Sequence, residues 1–321
     1  MTTRLALRTR AFGALLKLLV SEPATADQMT QLRARRERLR RSPVGPLVFG
    51  RPSRAVTTTD LEIGTGSRLH VHRPRRAEGP LPVVVNFHGG GWCLGTPEQS
   101  AWLASHVAER TGSLVVSPTY RLAPEHPYPA AVEDAWAVLQ WVAAHASELG
   151  GDPSRIAVMG DSAGGNLAAV TALMARDAGG PALQAQVLVY PAVEMYERYP
   201  SEGANAHAPV LTSQQMHTFG HLYLGESYGV EDWEASPIRA ASHAGLPPAL
   251  VLTAFHDPLR DHGSRYVDVL RAAGSEAELR DYGPGIHGFL SLPGAVPVAG
   301  QALDDISAFL RRRLSAAEMT R

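Results

Sequence analysis

Residues 160–164 read Gly-Asp-Ser-Ala-Gly and place a serine, Ser162, between two small neighbours and two glycines. Residues 155–159, apolar apart from Arg155, predict a strand before this segment, and a helix-like pattern begins within it at Ala163. A sharp strand-to-helix turn needs the glycines, because a Cβ there would collide with the adjoining chain. The turn exposes the serine hydroxyl and places the Ala163 amide at a helix N-terminus, which favours negative charge. We therefore predict that Ser162 is an acyl-transfer nucleophile.

A second glycine-rich segment, residues 88–92, reads His-Gly-Gly-Gly-Trp and follows the strand predicted at residues 83–87. Three successive glycines cost conformational entropy, which indicates that the backbone must approach something closely here. We expect the amides of Gly90, Gly91 and Ala163 to form an oxyanion hole. A phosphate-binding loop is the competing interpretation, but the segment lacks the P-loop lysine and the G-x-G-x-x-G spacing.

A nucleophilic serine needs a base, and the base needs an orienting acid. Where such a turn carries the serine, the acid and then the histidine follow it along the chain. Asp257 follows the strand predicted at residues 249–253, and His287 follows the strand predicted at residues 277–282. Parallel strands bring such loops to one edge of the sheet, where ligands bind. We predict His287 as the base and Asp257 as the acid, with Asp261, further into the next helix, as the rival acid.

Other side chains near these motifs are weaker candidates. We expect Trp92 and Asp161 to contact the substrate, although Trp92 fits a packing role equally well. His256 lines the site or lies on a surface loop. Cys93 is remote from any strand-to-helix turn, and a free cysteine is most often a small buried residue rather than a nucleophile.

His217 and His221 stand four residues apart and could share a helix face as metal ligands. No glutamate follows the first histidine in the H-E-x-x-H manner, so the sequence predicts no metal site there. We expect the enzyme to need no cofactor.

The elements that must position these residues alternate in type from residue 56 onward. Predicted strands occupy residues 83–87, 114–117, 156–159, 187–190, 249–253 and 277–282, and predicted helices occupy residues 98–111, 130–145, 163–176, 262–273 and 298–314. Apolar strands joined by helices predict an α/β fold with a mostly parallel sheet flanked by helices. We divide the chain into a helical segment, 1–55, a core in two parts, 56–193 and 241–321, and an insertion, 194–240, that covers one end of the sheet.

Composition limits the partners of this chain. Its 321 residues are 45% hydrophobic, which is sufficient for one large core. Lysine and arginine total 30 against 31 acidic residues, so the net charge of -1 supplies no field for nucleic acid or an anionic membrane. Cys93 is the single cysteine, which excludes an intrachain disulfide and fits a reducing, cytoplasmic compartment.

The N-terminal segment carries mixed signals. Three arginines precede an apolar stretch at residues 11–20, and residues 24–26 have the small-x-small form of an export cleavage site. Lys17 and Glu22 interrupt that pattern, so we favour an amphipathic helix over an export signal. The arginine-rich run at residues 33–41 predicts a solvated helix face.

Five motifs in this order resemble the hormone-sensitive-lipase family of esterases, in its bacterial family IV branch. They lie at residues 88–92, 120–131, 160–166, 257–261 and 287–289, and the resemblance extends from about residue 70 to 315. It implies an α/β-hydrolase fold with an eight-stranded sheet and a helical cap, built from the N-terminus and the insertion. It also implies the triad and oxyanion hole named above, no cofactor, and in many members a dimer formed through the last strand.

The predicted function is therefore that of a carboxylesterase acting on short- to medium-chain acyl esters through an acyl-serine. A lactone, carbamate or amide hydrolase on the same triad is the alternative. A non-catalytic binding protein is a third class, represented in this family by the plant gibberellin receptors, which have lost the histidine. His287 stands in its motif, which argues against that class.

Overall fold

The strands form a single eight-stranded sheet in the computed structural model, which describes residues 3–19, 26–64, 66–229 and 231–315. In chain order they are β1 (Val56–Glu62), β2 (Arg68–Pro74), β3 (Leu81–Phe87), β4 (Leu114–Pro118), β5 (Gly151–Asp161), β6 (Leu183–Val189), β7 (Ala249–His256) and β8 (Ala277–Ile286). Their order across the sheet is β1-β2-β4-β3-β5-β6-β7-β8. Strand β2 is antiparallel to both of its neighbours, and the other pairs are parallel. The loops after β3, β5, β7 and β8 therefore emerge at one edge of the sheet.

Helices precede, separate and follow these strands. They are α1 (Leu7–Leu19), α2 (Ala26–Arg41), α3 (Gly45–Phe49), α4 (Ala101–Thr111), α5 (Ala130–His145), α6 (Ala163–Asp177), α7 (Pro200–Ala204), α8 (Ser213–Leu224), α9 (Arg260–Ala272) and α10 (Val298–Leu314). A 3₁₀ turn, Pro97–Ser100, leads into α4. Helices α7 and α8 lie in the long connection between β6 and β7.

The sheet is covered by helices on both faces, which follows from the alternation of side chains along each strand. Val83 and Val85 of β3 belong to the apolar cluster that contains residues of α5, α6 and α9. Val84, which points the other way, belongs to the cluster formed with α4 and α10. Every residue of β3 is buried, as expected for a central strand of a parallel sheet.

The predicted α/β fold with a mostly parallel sheet is confirmed, including the eight strands implied by the family resemblance. Helices α5 and α10 have the predicted bounds. Strands β1 and β2 were not predicted individually. Most side chains of β1 are exposed, so this edge strand lacks the continuous apolar run by which the central strands are identified. Strand β5 begins at Gly151, five residues before the predicted start, because its first residues include a polar, partly exposed stretch without the apolar run that predicts a buried strand.

Helices α1, α2 and α3 contain most of the described residues before β1. The cleavage-like motif at residues 24–26 lies outside the described residues except for Ala26, where α2 begins. Among the described helices, none combines the length and the apolar character needed to cross a bilayer.

Candidate active site

The turn between β5 and α6 holds Ser162 in a backbone conformation that residues other than glycine rarely adopt. Its φ is 57° and its ψ is -117°. A Cβ on Gly160 would lie 2.1 Å from the carbonyl oxygen of Gly164, and a Cβ on Gly164 would lie 2.0 Å from that of Phe87. Both positions must therefore be glycine, because a Cβ at either one would collide with a backbone carbonyl oxygen. The strained turn presents the serine at the edge of the sheet where the loops meet.

Ser162 lies beside the two side chains that the sequence analysis paired with it. Its Oγ is 2.9 Å from His287 Nε2, and His287 Nδ1 is 2.7 Å from Asp257 Oδ2. The other carboxylate oxygen of Asp257 accepts the Leu259 amide hydrogen at 2.8 Å. A carboxylate only accepts, so Nδ1 carries the imidazole hydrogen and the Nε2 lone pair faces the serine hydroxyl. This arrangement can move a proton from Ser162 to His287.

The alternative acid and the neighbouring histidine lie elsewhere. Asp261 Oδ2 accepts the amide hydrogen of Ser201 at 2.9 Å, near the start of α7. His256 Nε2 lies 2.6 Å from the carbonyl oxygen of Thr3, so this ring contacts the N-terminal segment. The geometry favours Asp257 over Asp261 as the group that orients the imidazole.

Unpaired backbone amides lie on the two loops that meet at the serine. Gly90 and Gly91 have φ values of 130° and 60°, which glycine adopts without strain. Among the residues that the structure describes, none accepts a hydrogen bond from the amide of Gly90, Gly91 or Ala163. Free N–H groups on adjoining loops beside a nucleophile are what an oxyanion hole requires.

Asp161 supports the glycine-rich loop. Its Oδ1 accepts the Gly89 amide hydrogen at 2.9 Å, and a Cβ on Gly89 would lie 2.5 Å from Oδ2. The side chain is only 4% exposed, and burial raises the pKa of the carboxyl group to about 6. We therefore assign Asp161 to loop support, in place of the substrate contact expected from the sequence.

Trp92 is buried between the glycine-rich loop and α8. Its ring stacks on Tyr223 with the ring centres 4.3 Å apart and the planes 5° from parallel. Only 3% of the residue is exposed. The stack favours the packing interpretation of Trp92 over direct substrate contact.

Two further residues that the sequence analysis did not assign a role also hold this loop. The Tyr120 hydroxyl donates to the carbonyl oxygen of His88 at 2.7 Å, and the two rings stack at 4.3 Å. His88 Nδ1 lies 3.0 Å from the carbonyl oxygen of Gly89, and burial lowers the pKa of His88 to about 4. The neutral ring therefore donates from Nδ1. Both residues belong to motifs that carry the family resemblance, and those motifs are the sequence feature that could have identified their role.

The connection between β6 and β7 contacts both sides of the candidate site. A Cβ on Gly91 would lie 2.5 Å from Cγ of Phe219, so this ring of α8 packs against the glycine-rich loop. Asn205, which follows α7, donates its side-chain amide to the carbonyl oxygens of Phe255 at 3.3 Å and Asp257 at 3.1 Å. The periodicity of this segment did not identify either contact.

An N-terminal arginine reaches the same loops. Arg33 donates to the carbonyl oxygens of Cys93 at 2.8 Å and Ala123 at 2.7 Å, and pairs with Glu125 at 2.8 Å. The prediction of a solvated face for residues 33–41 is therefore wrong at Arg33.

Burial raises the pKa of the Cys93 thiol to about 12, which keeps it a neutral, poor nucleophile.

The two histidines considered as metal ligands have separate partners. His217 Nε2 lies 3.2 Å from Glu202 Oε2, and the His221 ring stacks on Tyr228 at 3.6 Å. The described part of the chain contains no cluster of three or more histidine, cysteine or acidic side chains arranged to hold a metal ion.

Comparison with known proteins places this site in a family. Residues 84–291 match the family described as alpha/beta hydrolase fold. The chain is 41% identical over 303 residues to the carboxylesterase NlhH of Mycobacterium tuberculosis, covering 93% of this chain and 95% of that protein. It is 41% identical to the esterase LipI of the same organism over 297 residues, with 90% of each chain covered. A solved esterase from Pyrobaculum calidifontis superposes with a TM-score of 0.86 at 37% identity, covering 96% and 99% of the two chains.

The chain therefore belongs to the alpha/beta hydrolase fold family. Within that family, the resemblance to the hormone-sensitive-lipase branch, predicted from its five motifs, is confirmed.

Proposed function

We propose that this protein is a serine carboxylic ester hydrolase that acts through an acyl-enzyme on Ser162. The main observation behind this proposal is the chain of hydrogen bonds from Ser162 Oγ through the His287 imidazole to the Asp257 carboxylate. A hydroxyl in this setting can lose its proton as it attacks a carbonyl carbon. The relatives described above are named as esterases or carboxylesterases, and the match covers most of their length. They support the same reaction.

In the acylation half, Ser162 Oγ bonds to the ester carbonyl carbon while its proton passes to His287 Nε2. The carbonyl oxygen becomes negative, and the amides of Gly90, Gly91 and Ala163 donate hydrogen bonds to it. His287 then gives its proton to the alkoxide of the leaving alcohol as the carbon–oxygen bond breaks. Asp257 stabilises the charged imidazole throughout.

In the deacylation half, a water molecule takes the position of the departed alcohol. His287 removes one proton from this water, and the resulting hydroxide attacks the acyl carbon. The same amides stabilise the second oxyanion, assisted by the N-terminus of α6. Collapse returns the proton to Ser162 and releases the carboxylic acid.

We further propose that the described parts of residues 1–55 and 194–240, the two segments expected from the sequence to form a cap, cover this site. Arg33 from the first segment and Phe219 and Asn205 from the second each contact a loop of the candidate site. On the family resemblance, we expect the site under this cap to accept short- to medium-chain acyl groups.

We also propose a cellular location and an oligomeric state for the enzyme. The single cysteine, Cys93, supports a cytoplasmic location, which cell fractionation tests. Strand β8 is the last strand of the sheet, and none of the described strands pairs with its outer edge, so we propose that this edge pairs with a second copy. Light scattering tests for that dimer.

The reaction is tested with p-nitrophenyl acetate and butyrate. We expect Ser162→Ala to lose activity by about 10⁶-fold, or about 8 kcal/mol of transition-state stabilisation. We expect a fluorophosphonate to label Ser162 in the unmodified protein. Ser154→Ala is the matched control, because Ser154 is exposed and its hydroxyl donates to Asp152 on the protein surface. Activity near that of the unmodified protein in Ser162→Ala would identify another nucleophile.

The same triad can cleave other acyl bonds, so a second panel separates these reactions. Hydrolysis of a lactone, a carbamate or a p-nitroanilide with a higher kcat/KM than any simple ester would favour the alternative function. Binding of esters without turnover would favour a non-catalytic protein.

A further inference from the structure

The carbonyl group of Gly89 is enclosed on the side of the glycine-rich loop that faces the start of α4. Gln99, in the 3₁₀ turn before α4, donates its side-chain amide to this oxygen at 3.2 Å. His88 Nδ1 approaches the same oxygen at 3.0 Å. A Cβ on Gly95 would lie only 2.3 Å from it, so the returning chain closes a third side. One backbone oxygen thus receives two side-chain hydrogen bonds from different elements.

The direction of this carbonyl determines where the next amide points. A trans peptide is planar, and its C=O and N–H groups point in opposite directions. The N–H of Gly90 therefore faces away from Gln99 and His88. It has no acceptor among the described residues and is one of the three proposed oxyanion donors.

A peptide bond between two glycines is unusually free to turn over. Neither Gly89 nor Gly90 has a Cβ to oppose the rotation, and Gly90 already has a φ of 130°. If this peptide rotated, the Gly90 amide would leave the oxyanion site while the rest of the fold stayed intact. Hydrogen bonds to the Gly89 carbonyl are the direct means of preventing that rotation. His88 belongs to the same loop as this peptide, whereas Gln99 reaches the carbonyl oxygen from a separate helical element.

We propose that Gln99 is a positioning residue for ester hydrolysis, which holds the Gly89 carbonyl so that the Gly90 amide faces the developing oxyanion. This inference rests on the proposed function. It assigns Gln99 an effect on the transition state, where the oxygen is charged, and none on ground-state binding.

The test compares Gln99→Met, which keeps the side-chain length but removes the donor, with the unmodified protein. We expect kcat per site titrated with fluorophosphonate to fall about two- to tenfold, the effect of one neutral hydrogen bond, with KM unchanged. Affinity for a trifluoromethyl ketone, which adds to serine as a charged tetrahedral adduct, should fall by the same factor. A role in packing alone would lower Tm without moving kcat per titrated site.

Gln184→Met is the matched control. Gln184 donates its side-chain amide to the carbonyl oxygen of Ser154 at 3.1 Å, so this variant loses an equivalent bond on the protein surface. We expect its kcat and ketone affinity to equal those of the unmodified protein. Unchanged kcat per site and ketone affinity in Gln99→Met would overturn the role of Gln99 while leaving the esterase assignment intact. An unmodified protein that neither turns over esters nor labels at Ser162 would overturn both.

Discussion

The contact between α6 and the end of β3 makes Gly164→Ala a demanding test of the site geometry. The added Cβ would lie 2.0 Å from the carbonyl oxygen of Phe87 and 2.6 Å from that of His88. Both atoms are backbone, so neither can rotate away as the tip of a side chain does. The first turn of α6, which follows Ser162, and the glycine-rich loop must therefore separate.

The distance by which α6 and the glycine-rich loop must separate determines the expected loss of activity. Real Cβ atoms stay at least 3.0 Å from such atoms, so the two loops must part by about 1 Å. A misplacement of that size between nucleophile and oxyanion donors costs about 10²-fold in rate. Forcing an extra methyl group into a packed interior costs a further 1–3 kcal/mol of stability, roughly. We expect Gly164→Ala to lose about 10²-fold in kcat/KM for p-nitrophenyl butyrate and to unfold at lower urea concentration.

Gly300→Ala is the matched control, because it is also a glycine-to-alanine change inside a helix. A Cβ on Gly300 would meet nothing within 4 Å, and the residue lies in α10. We expect this variant to gain about 1 kcal/mol in unfolding free energy with its kinetics unchanged. If Gly164→Ala matched Gly300→Ala in kcat/KM, the proposed coupling between the turn and the loop would be refuted.

Three further outcomes follow from the same contacts. Asp257→Asn should lower kcat by about 10⁴-fold, because it disturbs the imidazole tautomer. Asp261→Asn should keep kcat within about threefold of the unmodified protein, since asparagine still accepts the Ser201 amide hydrogen. The reverse ranking in steady-state kinetics would make Asp261 the acid. Phe219→Ala should raise kcat/KM for longer p-nitrophenyl esters by about tenfold relative to the acetate, because it opens space beside the glycine-rich loop; an unchanged chain-length profile would exclude Phe219 from the substrate pocket. Burial raises the pKa of Asp161 to about 6, so the folded state holds this proton more tightly than the unfolded state. Stability should then fall, by an amount on the order of 2–3 kcal/mol, as pH rises from about 4 to about 6. In urea unfolding, Asp161→Asn should lack that fall, and parallel pH curves for the two proteins would contradict it.

The features predicted from the sequence are those that local chemistry determines. The glycines around Ser162 are required by contacts within a few residues or with the adjoining strand, so their spacing, between a predicted strand and a predicted helix, identifies the turn. The order of serine, acid and histidine, combined with the parallel sheet, brings Asp257 and His287 to the same edge. The choice between Asp257 and Asp261 needed coordinates, because both follow β7 and only their side-chain partners separate them.

Contacts between distant segments account for most of what the sequence did not predict. Asp161 follows a strand and precedes the nucleophile, which suits a substrate contact as well as it suits a bond to the Gly89 amide, 72 residues away. Trp92 fits a pocket wall or a packing role until Tyr223 is known to lie 4.3 Å from it. Composition and periodicity carry no information about such pairings, since any polar or aromatic side chain can satisfy either role.

Arg33 shows why a charged run is a poor guide to its individual members. All the arginines of residues 33–41 appear alike in the sequence, and several are exposed as predicted. Arg33 differs because its guanidinium reaches two backbone carbonyls and one carboxylate at once, which uses the planar arrangement of its five donors. One of those carbonyls belongs to Cys93, directly after the glycine-rich loop and Trp92. A helix from the beginning of the chain is therefore joined to the loop that would stabilise the oxyanion, so loss of this helix should affect turnover as well as stability.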